Sequence, residues 1–347
     1  MQTEGSAPAP LPAAAGVAEV SADELAQRLD PLDHPVVVRG LVSQWPVVEA
    51  ARQSPAALAS YLSSLDRGQP LRLFVGPPDI EGRYFYEPGM RGFNFAVSNA
   101  TLTQLVGRLM ELADGSSRQT LYLGSTPAED LLTSFADTHP MPLVADKPAA
   151  PGIWIGNQSR VAPHFDESNN IACVVSGRRR FMIFPTEQVV NLYVGPIDNT
   201  MAGQPSSMVD PSAPDLNRFP HFREAMKHML VAELEPGDAI FIPAMWWHGV
   251  EATGPLNMLV NYWWKVGAPD AGSPTHALGH GLLTISHLPE NERRAWRALF
   301  DHFVFRLDSD PVGHIPEEAR GILGESTPEL RERMKHFLLQ ALHHLTR

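Results

Sequence analysis

The stretch PHFDESNNIACVVSGRRRFMIFP, residues 163–185, decides how this chain is read. It sets His164 two places before Asp166 at the approach to two short apolar runs, NIACVVSG and RRFMIFP, that have strand chemistry. On extended backbone, residues i and i+2 point to one face, so His164 and Asp166 can address one ion while Phe165 faces the other way. About one H-x-D is expected by chance in a chain of this size, so the surroundings must carry the reading. A metal needs a third ligand, and EPGDAIFIPAMWWHGVE (235–251) offers it. There Pro236-Gly237-Asp238 makes a turn, AIFIP a strand, and His248 follows two tryptophans at the head of the next strand. Across a jelly roll this position can face the first histidine. Two imidazoles and one carboxylate on one face leave three positions of an octahedral Fe(II) open, enough for a bidentate 2-oxo acid and O2.

The rest of the chain fits a mainly β fold with flanking helices. From TLYLG (120–124) to NYWWKV (261–266), short strands alternate with Pro, Gly and Asn clusters, which suggests a β-sandwich or jelly roll. A short helix on an insertion within 214–229 is expected to interrupt it. Ahead lies an α/β lead-in. A capping box opens a helix over 21–29, helical periodicity marks 54–65 and 99–113, and 35–42, 70–76 and 83–88 read as strands. Beyond Pro269 the pattern is helical, ending in a segment with Ser326, Pro328 and Glu329 at its start. Its apolar stripe runs through Leu330, Met334, Phe337, Leu338, Ala341 and Leu345. The expected organisation is a flexible Ala/Pro arm (1–20), the lead-in (21–117) packed on the barrel, a catalytic domain (118–268) and a C-terminal helical segment (269–347).

Bulk properties narrow the function classes. A net charge of -12 over 347 residues disfavours direct nucleic-acid binding, and the single cysteine, Cys173, excludes a disulfide framework. No export signal or bilayer-length apolar run is read, so a cytoplasmic protein without membrane association is expected.

Taken together, HFDESNNIACVVSGRRRFMIFPTEQVVNLYVGP, PGDAIFIPAMWWHGVE and NMLVNYWW resemble the JmjC, or cupin-like, branch of the Fe(II)/2-oxoglutarate oxygenases, in particular its asparaginyl hydroxylases. The likeness covers about residues 118–268 and extends more loosely into the lead-in. It implies a double-stranded β-helix, with iron ligation by His164, Asp166 and His248 and with 2-oxoglutarate as cosubstrate. Where the family has a lysine for the distal carboxylate of 2-oxoglutarate, this chain has Arg179, whose planar fork also suits a carboxylate. Tyr122 matches a tyrosine on the same carboxylate, and Asn170 and Asn261 match polar residues near the cosubstrate. A family threonine three places before the first histidine is Val161 here. The resemblance also implies a homodimer through the C-terminal helices.

Other residues have plainer readings. Trp246, Trp247, Trp263 and Trp264 suit core and pocket wall, and His276 and His280 share a helical face without the glutamate of a zinc motif. The segments 83–95 and 195–220 have the composition of substrate-covering loops, suited to a peptide or a small metabolite. Two alternatives stay open: a cupin metalloenzyme that does not use 2-oxoglutarate, and a barrel that binds without turnover.

Overall fold

The computed structural model describes residues 14–115, 117–201 and 203–345, with the backbone alone for His344 and Leu345. Residues 1–13 of the expected arm, and the Leu345 side chain of the final stripe, lie outside the described residues. The chain forms two compact units, up to Lys265 and from Val266 onward. No helix among the described residues is long and apolar enough to cross a membrane.

In chain order the principal strands are β1 (Val36–Val38), β2 (Leu71–Gly76), β3 (Ala96–Ala100), β4 (Thr120–Pro127), β5 (Pro151–Gly156), β6 (Ser159–His164), β7 (Asn169–Phe184), β8 (Leu230–Leu234), β9 (Ala239–Ile242) and β10 (Trp247–Trp264). They join one connected sheet in the order β1-β9-β7-β10-β5-β4-β2-β3, with β8 on β7 and β6 on β10. The two long strands, β7 and β10, make this a double-stranded β-helix. The first half of β7 pairs with β9 and the last residues of β10, while its second half pairs with β8 and the first residues of β10.

Each long strand must bend to serve both faces, and the register shifts between Val174 and Arg178 mark the corner. Gly177 sits there at φ +75°, where a Cβ would overlap the side chain of Asn257. Asn257 is buried and donates to the carbonyls of Gly254 (3.0 Å) and Asn157 (3.1 Å), tying the opposite corner in place.

Period-2 alternation divides the apolar residues between two faces. Ile171, Cys173 and Val175 of β7 point outward with Met258 and Val260 of β10, into a core shared with the lead-in helices Pro46–Gln53, Pro55–Leu65 and Leu102–Leu112. Val47, Leu58, Leu62, Leu105 and Leu109 are fully covered there, so the helices shield the outer face of the sheet. Ala172, Val174, Phe181 and Ile183 point inward with Ile240, Ile242 and Val250 and fill the barrel.

Two expectations change. The arm is not loose up to residue 20, because Ala15–Gly16 pairs with β8 and Ala18–Glu19 with β1 and satisfies open strand edges. The helix expected over 99–113 begins at Leu102. Asn99 and Ala100 belong to β3, and Thr101 caps the helix in a reciprocal box with Gln104. The short helix expected within 214–229 is Phe222–Lys227, and Asp215 turns the chain ahead of it by accepting from the amides of Asn217 and Arg218. In the second unit, helices span Pro274–Thr284, Glu290–Phe300 and Pro328–Leu345. Leu330 of the final stripe is buried, whereas Phe337 is 68% exposed and Leu338 48%.

Candidate metal centre and cosubstrate cavity

The end of β6 and the start of β10 are antiparallel neighbours, and His164 and His248 stand directly opposite each other. Their rings lie 4.5 Å apart. Asp166 follows β6 and brings its carboxylate to 3.7 Å from Nε2 of His248. One donor atom from each of the three residues lies within 4.8 Å of the others.

The neighbouring backbone fixes which imidazole nitrogens are available. Nδ1 of His164 donates to the Ala162 carbonyl at 3.0 Å, and Nδ1 of His248 donates to the Trp246 carbonyl at 3.1 Å. A carbonyl can only accept, so each Nδ1 carries the proton and each Nε2 keeps a lone pair free for a metal. Burial, and then the nearby His164, push His248 down to about 4, so the ring is neutral at physiological pH. The neutral imidazole is the form that binds metals.

A second layer of contacts holds the carboxylate. Nε1 of Trp263 donates to Oδ2 of Asp166 at 3.1 Å, and the Asp166 carbonyl accepts from the amide of Met245 at 2.8 Å. Met245 adopts φ +70°, a left-handed turn just before β10, and its own carbonyl accepts from Thr186 at 2.8 Å. Oδ1 of Asn169 accepts from the amide of Ala244 at 3.0 Å. These bonds stitch the loop ahead of His248 to the segment that carries Asp166. Replacing Trp263 with phenylalanine keeps the ring and removes the donor. Metal affinity is expected to fall by about 10- to 100-fold, with secondary structure unchanged, as checked by metal titration alongside circular dichroism.

All three residues line a cavity of about 610 Å³. Arg179, Tyr122, Asn170 and Asn261 line it too. Arg179 is 3% exposed, and among the described residues no carboxylate lies within ion-pair distance of it and its Nε has no hydrogen-bond partner. Burial lowers its pKa to about 10, the direction expected when a cation is taken from water without a compensating anion. Arg178 and Arg180 alternate with it, facing outward to Glu235 (3.1 Å) and Glu233 (3.3 Å). The arginine run therefore sends one guanidinium inward and two outward. Burial raises the Tyr122 phenol to about 12, and the charge of Arg179 offsets part of that rise.

Asn261 donates Nδ2 to Oδ1 of Asn170 at 2.7 Å, and its own Oδ1 has no partner among the described residues. Val161 lines the cavity beside Tyr84 and Val250, its strand neighbours, and adds no hydroxyl there. Of the four tryptophans, Trp247 and Trp264 are core, Trp246 donates to the Asp33 carbonyl at 2.9 Å, and Trp263 faces the cavity. His276 and His280 are exposed. The donor role of Trp263 had an available signal in the sequence, since it lies two places beyond Asn261 on a strand and must share its face.

HSPB1-associated protein 1 of Bos taurus is 33% identical over 150 residues, which covers 42% of this chain and 30% of that protein. Lysine-specific demethylase JMJ31 of Arabidopsis thaliana is 33% identical over 113 residues, 32% of this chain and 20% of that protein. A tRNA wybutosine-synthesizing protein 5 from Danio rerio is 32% identical over 102 residues, 29% of this chain and 28% of that protein. These matches span less than a third of the relatives' own lengths. A family model for the cupin-like domain matches residues 22–268, which takes in the lead-in, the barrel and every residue of the cavity named above, and the chain therefore belongs to the cupin-like domain family.

Proposed function

We propose that the protein is an Fe(II)- and 2-oxoglutarate-dependent oxygenase that hydroxylates a C–H bond of a protein side chain or a small molecule. The observation that carries this reading is the pairing, in one cavity, of two Nε2 atoms and a carboxylate with a buried guanidinium that has no anion beside it among the described residues. The donor set suits a divalent metal with open positions, and the guanidinium suits the distal carboxylate of a dicarboxylic cosubstrate. Iron and 2-oxoglutarate, when bound, supply O2-dependent oxidation of a C–H bond coupled to decarboxylation of the cosubstrate to succinate. The chain's own residues do the rest. His164, Asp166 and His248 hold the metal, and the Ala162 and Trp246 carbonyls keep both imidazoles in the ligating tautomer. Arg179 neutralises the cosubstrate's far end, beside Tyr122. Asn261, oriented by Asn170, offers its free Oδ1 to a donor in the cavity. Phe181, Val250 and Leu259 exclude water from the cavity walls.

The names of some relatives record lysine demethylation, and oxidation at an N-methyl carbon uses the same step. The test is succinate formation from 2-oxoglutarate with Fe(II) and O2, together with a visible absorption band when 2-oxoglutarate meets the Fe(II)-loaded protein without O2. Iron binding with neither signal would overturn the reading in favour of a cupin metalloenzyme of another kind.

We further propose that the final helix mediates a homodimer. Phe337, Leu338, Leu339 and Leu342 are all exposed, a larger apolar run than a solvated helix face normally shows. Because these side chains lie on the surface of a single chain, Leu338→Glu should leave the chain folded while halving its mass in solution. An unchanged mass by light scattering would contradict the proposal.

A further inference from the structure

The cavity contains a second cation with no assigned partner. Three basic residues line it: Arg179, Lys265 and Arg72. Lys265 is paired with Glu167 at 2.8 Å. Arg179 lies at the buried end and takes the cosubstrate in the reading above. Arg72 is exposed, on β2, and no carboxylate lies within ion-pair distance of it among the described residues. Its guanidinium instead lies 5.5 Å from the centre of the Phe74 ring. In a chain with 39 acidic and 27 basic residues, a cation left unpaired at a cavity wall stands out. The other basic groups around this part of the barrel, Arg83 and Arg160, both face Asp210.

The wall that joins the two arginines is aromatic. Arg72 and Phe74 lie on one face of β2, and Phe74 is opposite Tyr122 on β4, whose phenol feels the charge of Arg179. Phe74 packs at 4.8 Å against Phe95, and Tyr84 stacks on Tyr122 at 5.4 Å. The rings are inclined to one another, Phe74 by 48° to Phe95 and Tyr84 by 66° to Phe95, so they form a concave aromatic wall rather than a plane, with Arg72 at its edge beside Phe74. A cavity of about 610 Å³ exceeds what a five-carbon cosubstrate fills, and leaves room for a second small molecule.

We infer that the part of the cavity beside Arg72 is a site for a small aromatic acid, with Phe74, Tyr84 and Phe95 as its aromatic wall and Arg72 as the residue that selects its carboxylate. The inference rests on the oxygenase reading only in calling that acid the substrate; the site itself does not depend on it. The observations favour a free small molecule over a peptide because the covering loops are tied together. Asn199 donates to the Met90 carbonyl at 2.9 Å, and Tyr86 donates to the Asn199 carbonyl.

Three probes differing in charge test this on the full chain loaded with redox-inert Zn(II), with and without saturating 2-oxoglutarate: indole-3-acetate, its neutral amide indole-3-acetamide, and tryptamine. Titrations should show the acid binding about 10-fold tighter than the amide, the usual scale for one hydrogen bond to a charged group, with tryptamine weakest. Arg72→Gln should close the gap between acid and amide, Arg72→Lys should restore part of it, and added salt should narrow it, since Arg72 is exposed. Equal affinities of acid and amide on the unaltered protein would overturn the inference. So would a gap that survives Arg72→Gln, or one abolished by Arg179→Gln instead, which would place the acid in the cosubstrate position. A gap that follows Arg72 in a protein that binds no 2-oxoglutarate would keep the aromatic-acid site and refute the oxygenase reading.

Discussion

Replacing His248 with alanine should lower Fe(II) affinity by more than about 100-fold, the upper end of what losing a supporting contact alone costs a metal site. The expectation follows from the geometry of the pair. His248 is opposite His164 across a strand ladder, and each Nδ1 is committed to a backbone carbonyl, so neither ring can turn to replace the other. Removing one leaves a nitrogen and a carboxylate, too few protein donors for a stable facial site. Metal titration of the variant, with near-ultraviolet circular dichroism to confirm retained packing, is the check. Affinity equal to that of the unaltered protein would show that the metal, if any, binds elsewhere.

Replacing Arg179 with methionine should have two opposite effects. In the cosubstrate-free protein, the variant removes a buried cation that has no anion beside it, and a similar apolar volume fills the space. The melting temperature should rise or hold rather than fall. The lowered pKa of Arg179 has the matching sign: the folded state disfavours the charged form relative to the unfolded chain, and the group is charged in both at neutral pH. Binding of 2-oxoglutarate should move the other way. Truncating one partner of a buried, hydrogen-bonded charge pair costs about 2–5 kcal/mol, roughly 30-fold to several thousand-fold in Kd. A merely structural arginine would lose stability on this substitution and leave 2-oxoglutarate affinity in place. Thermal melts and calorimetric titrations of one variant therefore separate the two roles.

How much of this was legible beforehand depends on the range of the interaction. His164 and Asp166 could be placed on one face because the two-residue period of a strand is local. His248 needed the added premise of a jelly roll, and the ladder between β6 and β10 meets it. The alternation of Arg178, Arg179 and Arg180 was readable for the same local reason, but periodicity alone did not say which one faced inward; the family resemblance pointed to Arg179, and the pairing of β7 with β8 and β10 turns that residue inward. Helix ends were less accessible. Asn99 suits a helix cap and Ala100 a helix, yet pairing with Arg72 and Leu71 draws them into a strand. Arg72 and Phe95 carried no signal as site residues, because they reach the cavity only through the packing of the lead-in strands against β4.

On the proposed function, His164, Asp166 and His248 hold one metal ion in a cavity whose buried end is set for a carboxylate. A crystal of the full chain grown with Mn(II) and an inert 2-oxoglutarate analogue, with anomalous data, tests it most directly. One anomalous peak is expected in bonding contact with Nε2 of both histidines and with the Asp166 carboxylate, and the analogue's far carboxylate on the Arg179 guanidinium. A peak away from these three side chains, or an analogue seated elsewhere with Arg179 still without an anion, would contradict it.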